Sequence, residues 1–254
     1  MPLTIVDPNA GKKGQPAFLY LHGGGFTTGS SAMEVPFLQK VAQSCSCVVI
    51  SVDYRLAPEA PFPAALDDNY TALRWVYTNA DSLGVDKKRI AVGGMCSGGG
   101  HAAALVIAAR DRKEVPLVFQ LLLQPMLDDR TGSSRPVPRS IGEFVWTAES
   151  NSFGWTSLLG VPAGSPNVPA GSVPARVEDL AGLPPTFVAV GSIDLFVNED
   201  VEYGRRLIDC GVPTELHVLA GGYHGFFTLV PEAAVSIRYN DYWISALQRA
   251  FARS

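Results

Sequence analysis

The chain has 254 residues, 47% hydrophobic and 17% charged; this supports one sizeable α/β core and excludes a disordered chain. A net charge of −4 and the lack of a basic cluster argue against nucleic acid or an anionic membrane as partner. No apolar run reaches the roughly 18 residues that span a bilayer, and the start, Met1-Pro2-Leu3-Thr4 with Asp7 and Lys12-Lys13 behind it, does not read as a signal peptide.

Short apolar runs alternate with segments of helical period, the pattern of a parallel sheet covered by helices. In chain order, strands are predicted at Leu3–Val6, Ala17–Leu21, Cys47–Val52, Ile90–Val92, Val118–Leu123, Thr186–Val190 and Glu215–Leu219. Most are continuous Val/Ile/Leu/Phe runs, as strands buried on both faces should be. Helices are predicted near Pro36–Ser44, Ala64–Thr78, Gly98–Arg110, Glu199–Asp209 and Tyr239–Phe251, with Gly84 and Gly211 as C-terminal stops. The stretch from Asp128 to Pro184 breaks this rhythm. It is rich in Gly, Pro and Ser and carries Phe144, Trp146, Phe153 and Trp155. A long excursion between strands is expected to serve as a lid or pocket wall, and no second domain is evident.

Four cysteines occur. Cys45, Cys47 and Cys210 read as free thiols, because the spacing suggests no disulfide framework and the size requires none. A reducing cytoplasm is the expected compartment. No His/Cys/Asp spacing suggests a metal site, and no cofactor is implied.

Four segments carry chemistry. The first is Leu21-His22-Gly23-Gly24-Gly25-Phe26, directly after a buried strand. Three glycines let backbone N–H groups approach a ligand without Cβ interference, as an oxyanion site requires. The second is Gly93-Gly94-Met95-Cys96-Ser97-Gly98-Gly99-Gly100, between a strand and an Ala-rich helix. This is the frame of a nucleophile elbow, which needs small residues two before and two after its apex. Gly94 and Gly98 fill those places around Cys96, so the presented group is a thiol. Centring the bend on Ser97 would put Met95 at a crowded position. A phosphate loop does not fit, since no Lys-Ser/Thr pair follows. The third and fourth segments are Gly191-Ser192-Ile193-Asp194 and Gly222-Tyr223-His224-Gly225, each just past a strand. Loops at strand C-termini are where α/β sheets place their sites. The order nucleophile, acid, histidine is that of the α/β-hydrolases.

On these residues the sequence resembles the hormone-sensitive-lipase-like carboxylesterases of the α/β-hydrolase fold. The resemblance rests on His22-Gly23-Gly24-Gly25-Phe26, Asp53-Tyr54-Arg55-Leu56-Ala57-Pro58-Glu59, Pro61-Phe62-Pro63-Ala64-Ala65 and Tyr223-His224-Gly225-Phe226, and covers nearly the whole chain. It implies one α/β-hydrolase domain over 1–254, mostly parallel sheet with helices on both faces, and 128–184 as the cap or pocket wall. It implies a triad of Cys96, Asp194 and His224, and an oxyanion hole from Gly24, Gly25 and Ser97. His22, Gly23, Gly94 and Gly98 would shape the site, with Arg55 and Glu59 as structural supports. Phe26, Phe144, Trp146, Phe153, Trp155, Phe196 and Phe226 are candidates for an apolar pocket, while His101 and His217 read as structural.

Two departures from the family stand out. The usual Gly-Asp/Glu-Ser-Ala-Gly-Gly is here Gly94-Met95-Cys96-Ser97-Gly98-Gly99, as in either a natural thiol variant or a remodelled serine site. The usual N-terminal cap is also missing before Leu3, which implies a more open pocket or a covering partner chain. The expected function is hydrolysis of short- to medium-chain or aryl esters through a thioester acyl-enzyme, with a small-molecule ester as partner. A homodimer is compatible with the family. The competing readings are a small-molecule-binding protein on a hydrolase scaffold and an acyltransferase.

Overall fold

The computed structural model describes residues 1–252. Seven strands, β1 (Leu3–Val6), β2 (Gln15–Leu21), β3 (Val48–Val52), β4 (Val85–Met95), β5 (Phe119–Leu123), β6 (Thr186–Gly191) and β7 (Thr214–Leu219), form one sheet in the order β1-β3-β2-β4-β5-β6-β7. Only β1 runs antiparallel, at the edge, with Leu3 opposite Val52. β2, β3, β5 and β6 are buried along their whole length, which is why they read as unbroken apolar runs.

Seven helices accompany the sheet: α1 (Val35–Cys45), α2 (Ala64–Thr78), α3 (Ser97–Arg112), α4 (Ala148–Leu159), α5 (Val197–Asp209), the one-turn α6 (Phe226–Leu229) and α7 (Ala234–Ala252). The strand period of two divides β2 between two cores. Ala17, Leu19 and Leu21 face one layer with α2, α3 and α5. Phe18 and Tyr20 face the other, with α1 and α7 and the fully buried Trp243. A third apolar cluster at the carboxyl end of the sheet gathers Phe26, Cys96, Met126, Trp155, Leu195 and Phe196.

The order places β2 between β3 and β4, so the chain leaves β2 on one side and returns on the other. Ligand crevices in open α/β sheets form at the carboxyl ends of strands where the order reverses. Leu21 at the end of β2 pairs with Gly94 at the end of β4, so the glycine loop and the bend after β4 are adjacent by register.

One expectation needs correction, and the excursion holds a helix that the sequence pattern did not show. The excursion contains α4, whose start is marked by Thr147 accepting the Ser150 N–H at 3.4 Å and whose end is marked by Gly160 in the left-handed region. These are ordinary cap signals, obscured by the Gly- and Ser-rich composition. Gly211 does follow the end of α5, with φ +75. Gly84 does not stop α2, which ends at Thr78; it serves the turn that leads into β4, with its N–H bonded to Asp81.

Candidate active site

Cys96 sits at the junction of β4 and α3 with φ 55 and ψ −126. That conformation is strained for a residue with a Cβ and costs on the order of 1–3 kcal/mol. Backbone bonds on both sides hold it: Cys96 N–H donates to Leu123 O at 3.0 Å, and Met126 N–H donates to Cys96 O at 3.0 Å. The flanking glycines are sterically required. A Cβ on Gly98 would lie 2.0 Å from Leu21 O, and one on Gly94 would lie 2.4 Å from Gly98 O. Ser97 is instead the first residue of α3, fully buried and beyond the apex.

The loops after β6 and β7 bring the acid and the histidine to this point. They are joined by Ile193 N–H to Gly222 O at 3.1 Å and Gly221 N–H to Ser192 Oγ at 2.9 Å. Across them, His224 Nδ1–H donates to Asp194 Oδ2 at 2.9 Å. Asp194 is fully buried, and its Oδ1 accepts the Phe196 N–H at 3.1 Å. Phe196 meets the His224 ring edge-on at 5.1 Å.

The thiol and the imidazole perturb each other. Burial alone would push the Cys96 thiol up. The neighbouring His224 charge, its hydrogen bond to the sulfur, and the N–H groups of Ser97 and Gly24 more than offset this and leave it below its ordinary value. Burial would likewise lower His224, but the carboxylate of Asp194 and the sulfur of Cys96 raise it well above the usual range. Both side chains are nearly closed off, Cys96 at 5% and His224 at 6% exposure. Cys45 shows the contrast: burial with no compensating partner pushes it up to about 12.

The glycine loop is built from behind. His22 Nδ1–H donates to Gly23 O at 2.8 Å while its ring stacks on Tyr54 at 4.2 Å. Tyr54 O–H donates to His22 O at 2.6 Å. Gly23 packs on the bend, where a Cβ would stand 3.3 Å from that of Cys96. Gly25 lies under Trp146, whose ring would come within 2.1 Å of a Cβ there. His101 packs between Phe26 and Tyr54 at 5.0 and 4.7 Å, away from the sulfur; burial draws its pKa down to about 3, so it is neutral. His217 stacks on Tyr242 at 4.3 Å and pairs with Glu215 at 2.8 Å, on β7.

The seven aromatic candidates separate into groups. Phe26, Trp155 and Phe196 join Cys96 in one buried cluster. Trp146 is half-buried, 6.3 Å from the His224 ring. Phe144 and Phe153 are 54% and 63% exposed, Phe144 resting on Tyr223 at 6.0 Å. Phe226 is a correction: it lies in the opposite core against Phe227 and Tyr239, because the turn after His224 carries it beneath the sheet end. Arg55 ion-pairs with Asp68 at 2.9 Å and so ties the loop after β3 to α2, whereas Glu59 is exposed.

Gln124 was not predicted. It is fully buried just after β5; its Oε1 accepts the Gly225 N–H at 2.8 Å and its Nε2 donates to Tyr223 O at 3.0 Å. It therefore grips the backbone on both sides of His224. The available signal was a lone polar residue ending the run Leu121-Leu122-Leu123. Among the described residues no group of three His, Cys, Asp or Glu side chains is placed to hold a metal ion, and no helix is long and apolar enough to cross a membrane.

Comparison with known proteins places the fold in a family. Residues 18–228 match the profile of an alpha/beta hydrolase fold family. Esterase LipI of Mycobacterium tuberculosis is 37% identical over 227 residues, covering 86% of this chain and 68% of its own. An arylesterase of Saccharolobus solfataricus is 32% identical over 237 residues, covering 89% and 72%. Among solved structures, a bacterial heroin esterase superposes with a TM-score of 0.92 at 37% identity, covering 98% of this chain and 79% of its own. The chain belongs to the alpha/beta hydrolase family and, within it, stands among the carboxylesterases.

Proposed function

We propose that the protein hydrolyses short- to medium-chain and aryl carboxylic esters with Cys96 as nucleophile, His224 as general base and acid, and Asp194 as the group that orients the imidazole. The observation that carries this reading is the single constellation at the bend: a strained Cys96 with depressed pKa, an imidazole acting on its sulfur, and a buried carboxylate 2.9 Å from that ring's Nδ1.

In the first half-reaction the thiol proton passes to His224 Nε2 and the sulfur attacks the ester carbonyl carbon. The oxyanion that forms is met by the N–H groups of Gly24, Gly25 and Ser97. Gly24 and Ser97 already bear on the sulfur. Loss of one such donor typically costs about 3–4 kcal/mol of barrier. The carbonyl–oxygen bond to the alcohol breaks, the alcohol leaves with the imidazolium proton, and a thioester remains. Water then gives a proton to His224 and attacks the thioester; the acid departs and the sulfur recovers its proton. The excursion between β5 and β6 serves as the pocket wall, with Trp146 over the glycine loop.

Sulfur is larger than oxygen, so in a crevice shaped for serine the reacting atoms sit off line. A small misplacement costs about 100-fold, and turnover is expected to be slow for the family. The test is hydrolysis of p-nitrophenyl acetate and butyrate. Cys96→Ala abolishes it, a loss of at least about a thousandfold. Iodoacetamide abolishes it too, and because the Cys96 pKa is lowered, the reactive thiolate persists below the pH at which an ordinary thiol ionises and inactivation continues at neutral pH. Activity that resists alkylation and disappears in Ser97→Ala would overturn this assignment.

A further inference from the structure

An acyl group held on Cys96 can leave to water or to another nucleophile, and the surroundings of the sulfur do not treat the two alike. Cys96 is nearly closed off from solvent. Phe26, Met126, Trp155, Leu195 and Phe196 pack with it in one buried cluster, and Met95, the residue before the bend, lies half-buried against the same cluster. None of these side chains carries a charge or accepts a proton. A water molecule entering there gives up the hydrogen bonds of bulk solvent and gains few in return, and a closed crevice suppresses hydrolysis of a reactive intermediate. An acceptor with apolar surface of its own gains by the same burial.

The approach to His224 is aromatic. Phe196 meets its ring edge-on at 5.1 Å, and Trp146, whose ring covers Gly25, lies 6.3 Å from it. Phe144 rests on Tyr223, the residue before His224, at 6.0 Å. A group delivered to His224 therefore passes ring faces and edges, which favour another planar ring.

We propose that the acyl group on Cys96 is transferred to uncharged aryl amines in preference to water, so that the protein forms N-aryl amides as well as free acids. This rests on the reading of Cys96 as the acylated residue.

The chemistry of sulfur supports this outcome. Sulfur overlaps poorly with the carbonyl carbon, so a thioester is less protected by resonance than an oxygen ester and reacts more readily with nitrogen. The amine lone pair attacks the carbonyl carbon and a C–N bond forms, while His224 takes one N–H proton. The intermediate then expels the sulfur with the C–S electron pair, because a thiolate is a far weaker base than an amide anion. The proton held by His224 restores the resting pair, and no further reactant is consumed. The same difference in basicity makes the step one-way: an ester formed with an alcohol acceptor can be attacked again by Cys96, whereas an amide is not. Charge selects among amines. An aliphatic amine is a cation at neutral pH and loses its hydration in an apolar crevice at high cost. An aryl amine is neutral there, because its lone pair is delocalised into the ring.

The experiment is turnover of p-nitrophenyl butyrate at neutral pH with aniline present, butyranilide and butyrate being separated by liquid chromatography and quantified by mass spectrometry. Enzyme-free mixtures and Cys96→Ala give the uncatalysed anilide, and thermal melts confirm that each variant is folded. In parallel, intact mass follows decay of the butyryl adduct on Cys96 with and without aniline. Wild type is expected to form more anilide than acid at millimolar aniline, with the adduct decaying faster as aniline is raised, and to form only acid with cyclohexylamine. Trp146→Ala is expected to lower the ratio of anilide to acid about three- to tenfold, the worth of one aromatic contact. An adduct on Cys96 that decays to butyrate alone, at one rate with and without aniline, would overturn the transfer and leave ester hydrolysis standing. So would equal transfer to cyclohexylamine, or an unchanged ratio in Trp146→Ala, for the aryl acceptor. Absence of any adduct on Cys96 would remove the reading beneath the proposal and the proposal with it.

Discussion

The bend at Cys96 and the excursion between β5 and β6 meet at one crevice, yet they are held by different forces. At the bend, backbone packs on backbone: Gly94, Gly98 and Leu21 leave no room for a methyl group. The excursion is held by side chains. Arg176 pairs with Asp129 at 2.7 Å, Arg130 and Arg135 both pair with Asp128, and Asn151 donates to Thr131 O at 2.8 Å while accepting from the Trp146 ring at 3.3 Å. Backbone packing admits only glycine at the positions that flank the bend, whereas side-chain tethers can be exchanged without moving the sheet.

That contrast predicts an order of effects. The largest concerns the half that carries Cys96 and His224. Gln124→Leu removes the grip on both sides of His224; steady-state kinetics on p-nitrophenyl butyrate should show kcat reduced about 100-fold, as displacement of a reacting group does. Wild-type kcat in this variant would mean that the histidine loop is positioned by the Asp194 loop alone. Next is stability. Gly98→Ala forces a methyl group against Leu21 O and His22 O; denaturant titration should show a loss of about 1–3 kcal/mol or more. Phe153→Ala in α4, at a side chain 63% exposed, should stay within about 0.5 kcal/mol. Equal losses at the two positions would erase the distinction between the regions. The smallest effect is at their contact. Trp146→Ala opens the space over Gly25 and should raise KM for a p-nitrophenyl ester of a bulky aryl acid about tenfold, equivalent to about 1.4 kcal/mol, with KM for the acetate ester nearly unchanged.

The same contrast explains what could be read from the sequence. The strands β2, β3, β5 and β6 were legible because burial on both faces favours apolar residues, and the edge strand β1 matched at both ends. The positions of Cys96, Asp194 and His224 just past strand ends were legible because each sits in a glycine-containing turn that follows a strand. The positions of Phe153 and Phe226 were not legible: both are aromatics near the site in sequence, and only tertiary packing puts one in solvent and the other in the far core. α4 was hidden because Gly154 and several serines weaken its helical pattern. Gln124 escaped because its work is done across the fold, on the His224 loop, at a sequence distance no local motif spans.

The most direct test is intact-mass measurement after brief exposure to p-nitrophenyl butyrate, followed by peptide mapping. The account predicts a butyryl adduct on the peptide carrying Cys96, removable by hydroxylamine and absent in Cys96→Ala. An adduct on Ser97, or hydrolysis that proceeds unchanged in Cys96→Ala, would contradict it.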